Sequence, residues 1–109
     1  MVKFDQPNAT QRRWREDVRA LGSVLSEQSP VEIHHCAGRT AVHFKVRIGH
    51  WWILPLTKAE HDEIARQGHD RKVLEKILFV KLMDRYVTVY GTPLPFGPEV
   101  IEAIQEYRR

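Results

Sequence analysis

All six histidines of this 109-residue chain fall between positions 34 and 69: His34, His35, His43, His50, His61 and His69. Imidazole titrates nearest to neutral pH of the common side chains and is the commonest ligand of transition metals, so the clustering points to metal binding, proton transfer or both. His34 and His35 are adjacent in Val31-Glu-Ile-His-His-Cys36, a β-branched, alternating run that predicts a strand. Alternation sends their rings to opposite faces, so one can meet a metal while the other meets a substrate. His61 falls in the first turn of a predicted short helix, from which a side chain can point back over the strand end. Imidazoles so placed suit a one-metal phosphodiesterase, in which an ion stabilises the departing oxygen and a neutral imidazole deprotonates water.

The elements that must position these rings are legible from local pattern. Trp14, Val18, Leu21, Val24 and Leu25 share one helical face, predicting an amphipathic helix from Asn8 to about Gln28, broken at Ser29-Pro30. After the Val31–Cys36 strand, Ala37-Gly-Arg-Thr40 reads as a turn, and Val42 to Ile48 alternates as a second extended segment or an ordered loop. Trp51-Trp-Ile-Leu-Pro-Leu56 predicts a strand ending at Pro55. Thr57-Lys-Ala-Glu60 is a capping-box pattern, so a short helix should start after Thr57 and run to about Gln67-Gly68. From Lys72 to about Tyr90, Val73, Ile77, Val80, Leu82 and Met83 recur at near-helical spacing, and Gly97-Pro98-Glu99 opens a last helix. The expected fold is α+β, in the order helix, strand, strand, short helix, long helix, short helix.

With these elements in place, Ala20-Leu-Gly-Ser-Val-Leu-Ser26, Val31-Glu-Ile-His-His-Cys-Ala-Gly-Arg39, Gly49-His-Trp-Trp-Ile-Leu-Pro-Leu56 and Glu60-His61 together resemble the phage Ref family of recombination-enhancement nucleases, members of the HNH or ββα-metal superfamily. The resemblance covers roughly residues 12 to 70. It implies one nuclease domain over residues 1–109, with a small ββα-metal core at about 31–69, an N-terminal helix, and a C-terminal helical extension over about 71–109. Carried over by position, it makes His34 a metal ligand, His35 the general base and His61 a second ligand. His50 falls where superfamily members fix the loop and orient the base, and His69 matches a histidine that completes the metal shell. The implied cofactor is one divalent metal ion: zinc, nickel, manganese or magnesium. The implied activity is metal-dependent endonucleolytic cleavage of DNA in phage or prophage recombination or DNA processing, with a host recombinase filament as an implied partner. The alternative is a catalytically degenerate domain that binds nucleic acid or a host protein. The chain departs from the family where cysteines suited to a structural zinc are replaced by Ser23, Ser26 and Thr57, and a helix histidine by Asp62. Hydroxyls are poor zinc ligands, so a structural zinc is not expected.

Seventeen Lys and Arg against fourteen Asp and Glu leave a formal net charge of only +3, so distribution matters more than total. Arg39, Lys45 and Arg47, with Lys58 at the helix start, are candidate phosphate contacts, which bind without reading sequence. Trp51 and Trp52 are candidates for base stacking, but adjacent strand residues alternate faces and at least one is expected in the core. Every apolar run is far shorter than the roughly 20 residues that span a bilayer, which argues against a membrane role. The N-terminus lacks a signal-peptide core, and the lone Cys36 cannot close an intramolecular disulfide. A reduced, cytoplasmic location in a bacterial host is the expectation.

Overall fold

A computed structural model describes residues 6–108. Its order is α1 (Ala9–Ala20), β1 (Glu32–His35), β2 (Val42–His43), β3 (Val46–Arg47), β4 (Ile53–Leu56), α2 (Lys58–Ala65), a 3₁₀ turn (Gly68–Asp70), α3 (Arg71–Tyr90) and α4 (Pro98–Glu106). The fold is α+β, as the sequence predicts. β1 pairs antiparallel with β4 in the register Glu32↔Leu56 to His35↔Ile53, and β2 pairs with β3 as a separate small hairpin. Helix α2 packs against both β1 and β4, so a strand pair and the helix that follows it form the unit carrying His34, His35 and His61.

Local chemistry explains most of these boundaries. Asn8 and Gln11 form a capping box at the start of α1, and Thr57 and Glu60 form the expected one at the start of α2. Pro98 begins α4, where its missing amide donor costs nothing. Helix α1 ends at Ala20 rather than near Gln28. Gly22 there adopts φ +79, and a Cβ would lie 2.6 Å from the Glu27 carbonyl oxygen, so the chain folds back into a tight loop over residues 22–28. Pro55 does not end its strand but sits within β4 opposite Ile33. A two-stranded sheet has only edge strands, and the lost amide donor is tolerated there.

Trp14, Trp52, Phe79, Leu54, Leu82 and Ile104 meet in one core drawn from α1, β4 and the residue before it, α3 and α4. The Trp14 indole donates to the Trp51 carbonyl at 3.0 Å, which satisfies its polar atom within the core. Trp51 and Trp52 are both buried, against Phe96 and Tyr107 respectively, so neither is presented to a nucleic-acid base. The face of α3 also departs from expectation: Val73, Ile77 and Val80 are exposed, whereas Leu78, Phe79, Leu82, Met83 and Tyr86 are buried. The helix is apolar on more than one side, and its periodicity alone cannot choose which side packs. Among the described residues, no helix is long and apolar enough to cross a membrane.

Candidate metal centre and its flanking cleft

His34 points into the protein from β1 and is only 5% exposed. Its Nε2 donates to Oε2 of Glu75, a carboxylate on α3 that is completely buried. Cys36, two residues beyond His34, faces the same group and is also buried. One ligand atom each from His34, Cys36 and Glu75 lies within 4.8 Å of the other two, and this trio could hold a metal ion. Nitrogen, sulfur and oxygen donors in one buried group match the chemistry of zinc and neighbouring transition metals. Glu75 Oε1 has no hydrogen-bond partner. It faces the Lys72 ammonium in an ion pair, so its charge is compensated while its lone pairs stay open to a bound ion.

The charges around the trio favour the ionised carboxylate. Burial opposes ionisation of Glu75, but the hydrogen bond from His34 and the nearby Lys72 and Arg71 outweigh it and hold the carboxyl below its usual range. Lys72 Nζ lies 3.5 Å from Glu75 Oε1 and donates to the Cys36 carbonyl at 2.8 Å, while Arg71 Nε lies 3.4 Å from Glu75 Oε2. The Cys36 thiol is pushed well above its ordinary value, first by burial and then by Glu75. A cleft of about 590 Å³ opens beside the trio, lined by Cys36, Gly38, Gly68, His69, Arg71 and Lys72. Its polar wall is cationic.

The other sequence-derived site residues distribute around this centre. His61 sits beside His34, ring centroids 4.8 Å apart, but its Nδ1 faces Glu32 Oε1 at 2.9 Å. His69 is exposed on the 3₁₀ turn and lines the cleft. Among the described residues, the ligand set brought together is therefore His34, Cys36 and Glu75, with His61 and His69 outside it. His35 lies on the other side of β1, half-buried, with the His50 ring 6.3 Å away. Burial first, then Arg39, His50, His34 and Arg15, push its pKa down to about 4, so its ring is neutral at neutral pH. Arg39, Lys45 and Arg47 are exposed along residues 39–47. Lys58 is exposed too, and pairs with Asp62 at 3.5 Å, which accounts for that acid at the helix start.

Sequence reasoning missed Cys36 and Glu75 as partners of His34. The available signals were the two-residue step from His34 to Cys36, which keeps one face of an extended segment, and the spacing of Glu75, Phe79, Leu82 and Tyr86, which places a carboxylate in a buried helical stripe.

Ser23, Ser26 and Thr57 converge on one carboxylate. Ser23 Oγ donates to Glu60 Oε1 at 2.5 Å, Ser26 Oγ to Oε2 at 2.7 Å, and the Thr57 amide to Oε1 at 2.9 Å. A hydrogen-bonded cluster thus joins the loop after α1 to the start of α2.

Comparison with protein-family models, curated proteins and solved structures finds no match to this chain.

Proposed function

We propose that this protein is a divalent-metal-dependent endonuclease that hydrolyses DNA phosphodiester bonds, of phage or prophage origin and acting in recombination or DNA processing. The observation that carries this reading is the placement of a buried His34, Cys36 and Glu75 group against a cleft walled by Arg71 and Lys72. A metal-capable donor set beside paired cations suits a phosphate diester. The pattern shared with Ref-like nucleases supports the same substrate class and implies a host recombinase filament as partner.

His34, Cys36 and Glu75 would hold the ion, and zinc or nickel suits these donors better than magnesium, which prefers oxygen ligands. A bound ion would supply charge stabilisation at the phosphoryl oxygens and a more acidic water. Arg71 and Lys72 hold the phosphate against the cleft wall, and His69 at its rim donates to a phosphate oxygen or the leaving group. The resemblance assigns the general base to His35, which lies beside His50 on the face of β1 opposite the trio.

A second reading is favoured by one specific observation. His35 and His34 face opposite sides of β1, so the candidate base is directed away from the metal-capable group. That arrangement suits a catalytically degenerate domain that binds nucleic acid without cutting it.

Supercoiled plasmid and single-stranded circular DNA, incubated with metal-stripped protein and then zinc, nickel, manganese or magnesium, separate the two. Metal-dependent nicking that is lost in both His34→Ala and His35→Ala supports the nuclease. Absence of cleavage with every ion, from folded protein that retains DNA binding, supports the binding domain.

A further inference from the structure

The β2–β3 hairpin closes through two residues, Phe44 and Lys45, with φ of +51 and +63. Two-residue hairpin turns with positive φ at both positions strongly favour Asn-Gly or similar pairs, because a Cβ clashes in left-handed backbone. Phe is among the costlier choices at such a position. It also recovers little by burial: Phe44 is 69% exposed, the most exposed large apolar side chain among the described residues. A ring that is both conformationally unfavourable and unburied points to a role outside the fold.

The hairpin that carries it is firmly seated. Ile48 donates to the Ala41 carbonyl at 3.0 Å behind the turn and is itself fully buried, and α4 packs against both strands. The His43 ring lies between those of Phe44 and Tyr107, with centroid distances of 4.2 and 5.6 Å. Phe44 is therefore held at a fixed tip, at low further ordering cost to a ligand.

Charge selects the ligand class. No acidic residue occurs between Glu32 and Glu60, whereas Arg39, Lys45, Arg47 and Lys58 all lie in that interval. Arg39, Lys45 and Arg47 are exposed on or next to the hairpin. An exposed aromatic ring on a segment that carries three exposed cations and no acid, with the glutamates Glu99, Glu102 and Glu106 confined to α4, matches the requirements of a single-stranded nucleic acid: a π-face for an unstacked base and positive charge for the flanking phosphates.

We infer that the Phe44–Lys45 turn is a stacking finger for single-stranded nucleic acid, with Phe44 packing on a base and Lys45 contacting the adjacent phosphate. The inference rests on the nucleic-acid half of the proposed function and is independent of cleavage.

The test is fluorescence anisotropy of a labelled oligodeoxythymidylate at low salt with EDTA present, so that no metal-dependent cutting occurs. Three proteins are compared: wild type, Phe44→Tyr, which keeps the ring, and Phe44→Asn, which removes it while suiting left-handed backbone. Wild type and Phe44→Tyr should bind alike. Phe44→Asn should bind about tenfold more weakly, on the scale of one lost base-aromatic stack, with an unchanged or raised melting temperature. Lys45→Ala should lower the slope of log affinity against log salt by about 1. Equal affinity of Phe44→Asn and wild type, or no oligonucleotide binding by wild type, overturns the inference. Plasmid nicking that persists in either case leaves the nuclease standing, and finger-dependent binding without nicking removes the nuclease while keeping the finger.

Discussion

Ser23 and Glu60, 37 positions apart, are joined by a hydrogen bond of 2.5 Å. With Ser26 and the Thr57 amide on the same carboxylate, this contact ties the loop after α1 to the start of α2, and so fixes the helix that carries His61. Burial opposes the charge on Glu60, but the hydrogen bonds from Ser23, Thr57 and Ser26 outweigh it and hold the carboxyl below its ordinary value of 4.5. Glu60→Ala should cost about 3 kcal/mol, the scale of hydrogen bonds to a charged group. Because the folded pKa is depressed, this stabilisation is present above the unfolded value and is lost as pH falls through the folded one. Urea unfolding should show wild type and Glu60→Gln well separated at neutral pH and converging in acid below pH 4.5. A gap independent of pH contradicts the assignment.

Zinc should bind one ion per chain at His34, Cys36 and Glu75 and raise the melting temperature, by an amount equivalent to about 2.7 kcal/mol at a hundredfold excess over Kd. Cobalt in its place should give a thiolate charge-transfer absorption that disappears in Cys36→Ser. An unchanged melting temperature with either ion, and a cobalt spectrum lacking that band, would exclude the site.

The buried side of α3 gives a direct contrast. Phe79 is completely buried and Ile77 is 59% exposed. Phe79→Ala should destabilise by about 3–5 kcal/mol. Ile77→Ala should stay within about 0.5 kcal/mol of wild type. Comparable losses from both in denaturant melts would reverse the facing of this helix.

Gly49 lies where two segments touch. A Cβ there would sit 2.2 Å from the Arg39 carbonyl oxygen and 2.4 Å from that of Gly38. Both obstacles are backbone, so Gly49→Ala should force the loop apart at a cost of about 1–3 kcal/mol. It should also shift the NMR resonances of His50 and Arg39. A variant with an unchanged melting temperature and spectrum would show that the contact is dispensable.

Much of the fold follows from neighbours in sequence. The Thr57–Glu60 capping box, Pro98 at the start of α4 and the four- and three-residue steps from Trp14 through Val18 to Leu21 each report a local geometric requirement, and each appears in the structure. The alternation of His34 and His35 is likewise a property of extended backbone, so the local pattern alone assigns them to opposite sides of β1.

Tertiary structure decided what no short window contains. Glu75 meets His34 across 41 positions, and only the docking of α3 against β4, the strand paired with β1, turns a helix carboxylate into a partner for that imidazole. The same docking selects the buried side of α3, because apolar residues on both sides leave its periodicity ambiguous. The cluster on Glu60 depends on the reversal at Gly22, and the seating of Phe44 depends on α4 packing behind its hairpin. Sequence determined which residues could do chemistry and which short elements would carry them. Which of those residues share a site was set by burial, since long-range contacts form where removing apolar surface from water outweighs the entropy of closing the chain.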